Sequence, residues 1–272
     1  MSYNDFSLVL SGGGALGFAH LGIIEDLSDN GLIPSEIIGT SMGGIIGSLL
    51  AIGLPYNEIE NRFKSMSGFN KWVSFSLSGN GMVQLNKLEN MLQKTFQDRM
   101  MSDVSIPLKI IATNFENGEK TVFSQDNNIK IIDAVLATIA IPGIFPARMI
   151  EGKPYIDGAF TENLGITEAS HEVVLASDVM GKRSFKPINT PKPFKIQNFM
   201  DNFEKTMRIM MTNQTTKNLS ACKDKSVFLI EPNTRNFRTF HFNKFNKIKN
   251  VGKNEIDKFV EFIRNYNNDF NN

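Results

Sequence analysis

Apolar positions recur along this chain in two alternating rhythms. Short apolar runs bounded by turn-forming residues read as buried strands: FSLVL (6–10), SEIIGTS (35–41), LKIIATNF (108–115), EVVLASD (172–178) and SVFLIEP (226–232). KTVFS (120–124) reads as the hairpin partner of the strand at 108–115. Between them, segments with apolar residues three and four apart read as helices at 15–30, 42–53, 56–67, 86–98, 129–140, 197–219 and 253–266, the first ended by Gly31. Strand and helix alternate from one end to the other, which predicts an α/β fold. SGFNKWVSFSLSGNGMVQ (67–84) reads as a loop carrying Phe69, Trp72, Phe75 and Leu77, and the Pro/Lys-rich stretch 181–196 as a connection. No internal repeat interrupts the pattern, and the Asn/Lys richness of the last third is a compositional bias.

Two of the strand-to-helix junctions are rich in glycine. In VLSGGGALGFAHLG (9–22), Gly12-x-Gly14-x-x-Gly17 fits the dinucleotide-binding pattern, in which a glycine turn opens a helix that receives a pyrophosphate. The same backbone is a row of N–H groups able to hold any anion, including one that exists only during a reaction. The dinucleotide reading requires an acidic residue at the end of the second strand, for the ribose hydroxyls; EIIGTS has Thr40 and Ser41 there. Gly39-Thr40-Ser41-Met42-Gly43 instead matches G-x-S-x-G at a strand-to-helix junction. A sharp turn there lifts the serine hydroxyl off the sheet, the flanking Gly39 and Gly43 avoid side-chain clashes, and the new helix points its positive end at the oxygen. If the two strands are parallel neighbours, both turns lie at one sheet edge, and the amides around Gly13 and Gly14 face a carbonyl carbon seated on Ser41.

Composition narrows the partners. The 272 residues are 41% apolar, enough for a sizeable core in one large or two small domains. Lys plus Arg number 29 against 28 Asp plus Glu, so no global field draws the chain to nucleic acid or to an acidic partner, and membrane contact has to be local. A single cysteine, Cys222, excludes an internal disulfide framework and fits a reducing compartment. MSYNDFSLVL lacks the basic and long apolar regions of a secretory signal, and no apolar run approaches the roughly 20 residues of a membrane span. The expectation is a cytoplasmic protein, with peripheral membrane contact and signal-independent secretion left open.

A serine nucleophile needs a base. The order Ser41, Asp157, His171 suits a hydrolase triad, with His241 as an alternative third member, but that fold places its elbow after several strands and Ser41 follows only the second. His171 sits before a buried strand and His20 inside the first helix, positions typical of packing histidines. Asp157 in PYIDGAF, an acid on a tight Asp-Gly turn after an apolar segment, is the stronger candidate.

SGGGALGFAHLG, GTSMGG, ATIAIPGIFPA and YIDGAFTENLG, in this order and spacing, resemble the patatin-like phospholipases, most closely their compact bacterial members. The similarity spans about residues 5–180, with FLIEP and FNKIKNVGKNEI compatible with the family's ending. The resemblance implies a three-layer α/β/α sandwich with a mostly parallel central sheet, in one domain over residues 1–272. It implies a Ser-Asp dyad without a catalytic histidine: Ser41 the nucleophile, Asp157 its base, and Gly12, Gly13 and Gly14 the oxyanion hole. The implied activity is hydrolysis of lipid carboxylic esters, of phospholipase A or lysophospholipase type, through an acyl-enzyme. An acyltransferase on the same dyad and a non-catalytic lipid-binding protein are the alternatives. It implies no cofactor and no metal. The family often has Arg or Lys where this chain has Leu16, Gly where it has Ala159, Ser where it has Thr138, and Pro where it has Ala147. Ala159 keeps the turn if its φ is negative, and Leu16 removes a phosphate contact, which bears on headgroup preference.

Three further segments invite a lipid or subunit reading. The aromatic loop at 67–84 suits a lid at a membrane interface, or simple packing. FHFNKFNKIKNVGK (240–253) alternates aromatics with lysines, which suits either anionic lipid or a solvated helix-capping segment. NFMDNFEKTMRIMM is a methionine-rich stripe for the core or for a contact between copies, so self-association stays open.

Overall fold

The computed structural model of the chain describes residues 5–67, 81–186 and 199–270. FSLVL forms β1 (Phe6–Leu10), followed by a 3-10 turn (Gly14–Gly17) and helix α1 (Phe18–Asp29). β2 (Glu36–Thr40) runs directly into α2 (Met42–Ala51), and α3 (Tyr56–Ser67) and α4 (Gly81–Phe96) come next. β3 (Leu108–Asn114), β4 (Lys120–Phe123) and α5 (Ile131–Thr138) precede a hairpin of β5 (Arg148–Ile150) and β6 (Lys153–Asp157). β7 (Val173–Ser177), α6 (Phe199–Ala221), β8 (Ser226–Ile230), α7 (Phe245–Asn250) and α8 (Asp257–Phe270) complete the chain.

Each strand and helix expected from the pattern is present, and the β5/β6 hairpin and α7 are additions. The hairpin is hard to read because its two-residue turn is Glu151-Gly152, both at positive φ (49° and 78°), where Asn-Gly would have signalled it. Pro154 further weakens the strand signal of β6. α4 begins at Gly81, inside the stretch read as loop; Phe69, Trp72, Phe75 and Leu77 lie outside the described residues. The last helix starts later than position 253, because Asn254 adopts a left-handed φ of 58° and ends the preceding turn.

β8, β7, β1, β2 and β3 lie side by side and parallel, and β4, β6 and β5 join antiparallel, an eight-stranded mixed sheet among the described residues. One stretch of register positions the site. Ile111 of β3 pairs with Thr40 on one side and Val122 on the other; the next residue, Ala112, pairs with Asp157 and Thr121. β4 therefore occupies one edge of β3 from Ile110 to Thr113, and β6 takes over the other edge where β2 stops. The end of β6 abuts the end of β2.

The pleat sorts alternate strand residues into two apolar layers. Leu8, Leu10, Ile37, Ile110 and Leu175 face a large core with α1, α2, α3, α5, α7 and α8. Val9, Ile38, Ile111, Val174 and Ala176 face a smaller one with Leu164, Ile166, Cys222 and the Leu219 end of α6. The result is the expected three-layer sandwich. Burying each such Leu or Ile contributes about 1.5–3 kcal/mol, so the larger layer dominates stability.

The segment 240–253 is divided between solvent and core: Asn243, Lys244, Asn246, Lys247 and Asn250 are exposed, while other side chains turn inward. Phe245 and Ile248 of α7 are buried against α1 and α3, and Phe245 meets Phe18 edge to face. Lys249 is drawn in with them: its Nζ lies 2.8 Å from Glu25 and 2.5 Å from Glu60, above the Tyr56 ring. Both carboxylates hold its pKa well above the ordinary lysine value against the cost of desolvation. Lys249→Ala leaves Glu25 with Lys253 and Tyr56 and Glu60 with Lys64, so it removes the buried link between them without stranding either charge and is expected to cost about 2 kcal/mol. Urea unfolding followed by far-ultraviolet circular dichroism should show the midpoint fall, with the slope unchanged.

Candidate active site

Ser41 sits where β2 becomes α2, with φ 52° and ψ −120°, a backbone conformation a non-glycine residue holds only under strain of order 1–3 kcal/mol. Packing supplies the compensation. A Cβ added at Gly39 would lie 2.6 Å from the Gly44 Cα and 2.6 Å from the Gly43 carbonyl oxygen, and one at Gly43 would run into the Leu10 carbonyl. The flanking glycines therefore let α2 lie directly on the ends of β1 and β2. The turn is also tied from below: the Ser41 amide donates to Thr138 Oγ1 at 2.8 Å, and Thr138 Oγ1 donates to the Ile111 carbonyl at 2.5 Å. Ser41 heads α2, so the helix dipole favours negative charge on its oxygen.

β1 and β2 are parallel with Leu10 opposite Gly39, so the first glycine run leaves the sheet beside the serine turn. The three glycines divide by role. The Gly12 amide donates to both the backbone oxygen (3.3 Å) and Oδ1 (3.1 Å) of Asn163, which removes it from the set of donors free for an oxyanion. Gly13 and Gly14 adopt φ of 154° and 55°, which glycine enters without the strain a side chain would add, and among the described residues their amides have no acceptor. Both line a cleft with Ser41 and Asp157. Asn163 escapes a sequence reading because nothing nearby in the chain shows that it meets Gly12, 151 positions away. Thr138 marks itself only as a departure from the family pattern.

The end of β6 brings Asp157 to this point. Ser41 Oγ donates to Asp157 Oδ2 at 2.7 Å, and the Ala159 amide donates to Oδ1 at 2.9 Å. Asp157 is 1% exposed. Burial raises its pKa to about 7, working against the Ala159 and Ser41 hydrogen bonds, which pull it down. A carboxylate at this value is a far better proton acceptor at neutral pH than an ordinary aspartate.

The histidines lie elsewhere. His171 contacts Ser7, Asp5 and Glu36 at the amino edge of the sheet, opposite the serine. His241 Nδ1 accepts from the Arg238 amide. His20 is fully buried, donating from Nε2 to the Ser11 carbonyl (2.9 Å) and accepting at Nδ1 from Ser177 (2.8 Å); burial lowers its pKa to about 4. It stays neutral and fixes the start of the glycine loop. Among the described residues no histidine bonds to Ser41 or Asp157.

A family model described as patatin-like phospholipase matches residues 8–170. The chain belongs to the patatin-like phospholipase family. Lysophospholipase NTE1 of Kluyveromyces lactis is 27% identical over 290 residues, covering 98% of this chain and 20% of that protein. The uncharacterized protein R571 of Acanthamoeba polyphaga mimivirus is 31% identical over 183 residues, covering 59% of this chain and 60% of its own. The chain thus spans about a fifth of the length of the yeast relative. The crystal structure of VipD from Legionella pneumophila aligns with a TM-score of 0.47 at 15% identity, over 95% of this chain and 66% of that one.

Of the departures from the family pattern, Ala159 keeps a negative φ, so a side chain there leaves the turn at Asp157 intact. Leu16 is fully buried in the larger core and contributes nothing to the cleft. The matched segment ends before much of the cleft wall. Met180, Glu204, Met207, Met211, Thr239 and Phe240 all line it from beyond residue 170.

Burial of Asp157 has a measurable consequence for stability. The folded carboxyl titrates near 7 and the unfolded one near 3.8, so the native state holds a proton that the unfolded chain has released. Stability from this group is complete below the unfolded value and is lost as pH rises through about 7. Asp157→Asn cannot lose a proton, so its thermal midpoint should match wild type near pH 4 and exceed it at pH 8. The gain is at most roughly 4 kcal/mol.

Proposed function

We propose that the chain is a serine acyl hydrolase that cleaves carboxylic esters of lipids through Ser41 and Asp157. The observation that carries this reading is the 2.7 Å hydrogen bond from Ser41 Oγ to a buried carboxylate, beside two amides without acceptors and at the foot of an apolar cleft. Ser41 Oγ attacks the carbonyl carbon while its proton passes to Asp157 Oδ2, and the oxyanion is received by the Gly13 and Gly14 amides. Collapse breaks the ester bond, Asp157 returns the proton to the departing alcohol, and the acyl group remains on Ser41. A water then gives its proton to Asp157 and attacks the acyl carbon. The fatty acid leaves and Ser41 recovers its proton.

The acyl chain has an apolar surface to lie on, with Ile141, Ile144, Met207, Met211 and Phe240 in the cleft wall. The name of the yeast relative supports a lysophospholipid as the first substrate to try. Ile209 and Met210 are exposed on the same stretch of α6 that supplies Met207 and Met211, which supports peripheral contact with a lipid surface. Among the described residues no helix is long and apolar enough to cross a membrane. Residues beyond 170 complete both sheet and cleft, in keeping with one acyl-hydrolase domain over the whole chain.

A fluorophosphonate probe should label wild type on Ser41 and leave Ser41→Ala unlabelled and inactive; labelling that persists in Ser41→Ala removes the assignment. Asp157→Asn should lose roughly 10²–10⁴-fold in kcat/KM. Because the base must be ionised, wild-type kcat/KM should rise with pH through an apparent pKa near 7. A rising limb centred near 4 would exclude Asp157 as the base.

A further inference from the structure

Glu204 is, with Asp157, one of two charged residues in the wall of this cleft among the described residues, and its two carboxylate oxygens are used very unequally. Oε1 accepts from Arg208 Nη2 at 2.6 Å, from the Thr239 amide at 2.9 Å and from Thr239 Oγ1 at 3.0 Å. Oε2 has no donor among the described residues. Arg–carboxylate pairs frequently engage the guanidinium with both oxygens. Here Arg208 Nη1 is turned onto the Ser184 carbonyl and Nη2 is shared with the Phe237 carbonyl, so the fork never closes on Glu204. Its position relative to the reacting centre is also fixed. Thr239, which Glu204 binds twice, accepts the Ala15 amide at 2.7 Å on its carbonyl, directly after Gly13 and Gly14.

We propose that Glu204 Oε2 receives a free hydroxyl on the alcohol portion of the ester, making Glu204 a specificity-determining residue for esters whose glycerol carries an unacylated hydroxyl. This rests on the Ser41–Asp157 reading above. Glu204 is partly buried, so Oε2 faces solvent in the free cleft, and a substrate that covers it must supply a donor in place of that solvent; a hydroxyl does so. Arg208 already balances the charge of the carboxylate, so what Oε2 offers is an acceptor for a neutral donor; an ether or a second acyl group in the same place leaves it buried and unpaired.

The test compares kcat/KM within two substrate pairs: a 1-acyl lysophosphatidylcholine with its 2-O-methyl ether, and a 1-monoacylglycerol with its 2,3-di-O-methyl ether. Choline has no N–H, so the glycerol hydroxyl is the donor removed in the first pair. Wild type should favour the hydroxyl member by about tenfold or more in at least one pair, the magnitude of a hydrogen bond to a charged acceptor. The pair that discriminates identifies which lipid class presents the hydroxyl. In Glu204→Gln the amide oxygen can keep the Thr239 and Arg208 bonds while the NH2 group replaces Oε2. That variant should bring the ratio close to one by raising KM for the hydroxyl member, with the ether unchanged. Equal wild-type rates in both pairs, a wild-type ratio retained in Glu204→Gln, or an equal loss on both members would overturn the inference. If Glu204→Gln fails to fold, the wild-type ratios decide. No hydrolysis of any of the four esters, with Ser41 unlabelled, removes the dyad reading and this inference together; hydrolysis without discrimination removes this inference alone.

Discussion

β3 outruns its neighbour, and the site depends on what fills the gap. β2 stops at Thr40, opposite Ile111, while β3 continues to Asn114, leaving backbone groups that must find partners on that edge. β6 supplies them from the opposite direction, and its last residue, Asp157, pairs with Ala112, one step beyond the end of β2. The serine that ends one strand and the acid that ends the other therefore meet, although 116 positions separate them. A shift of one residue in the β6 register would turn Asp157 to the other face of the sheet.

Around that junction the fold carries backbone strain and a desolvated acid. Ser41 holds a strained backbone because the helix behind it lies on the sheet with nothing larger than hydrogen at Gly39 and Gly43. Asp157 is buried with two hydrogen bonds to its carboxylate, too few to offset desolvation, so its affinity for a proton rises into the neutral range. His20, buried nearby beneath the glycine loop, is shifted the opposite way and stays uncharged. Desolvation thus adjusts both groups, making the acid more basic and silencing the histidine. The cost is met by the large apolar layer on one face of the sheet.

The cleft has a second origin. Ser41, Asp157 and the glycine loop lie inside the segment shared with the family, while Glu204, Met207, Met211, Thr239 and Phe240 come from α6 and the stretch after β8. The Thr239 carbonyl and the Ala15 amide join the two parts directly at the glycine loop. The floor and the wall of the cleft are thereby supplied by different stretches of one chain.

Much of this is legible in the residues themselves. Strand and helix periodicity, the glycine turn at 12–14, the Gly39 to Gly43 elbow and the Asp157 turn are local signals, because backbone sterics and side-chain period act over a few neighbours. The Glu151-Gly152 hairpin was hidden because an uncommon residue occupies a positive-φ position, and α7 because its lysines mask two buried apolar side chains. Other facts exist only in three dimensions. The sequence shows three equivalent glycines, but Asn163 withdraws the Gly12 amide and leaves those of Gly13 and Gly14. It shows an aspartate among many, and only burial beside Ser41 raises that one's pKa. Which groups are desolvated, and which donors remain unpaired, depends on contacts between distant segments, and no local pattern encodes them.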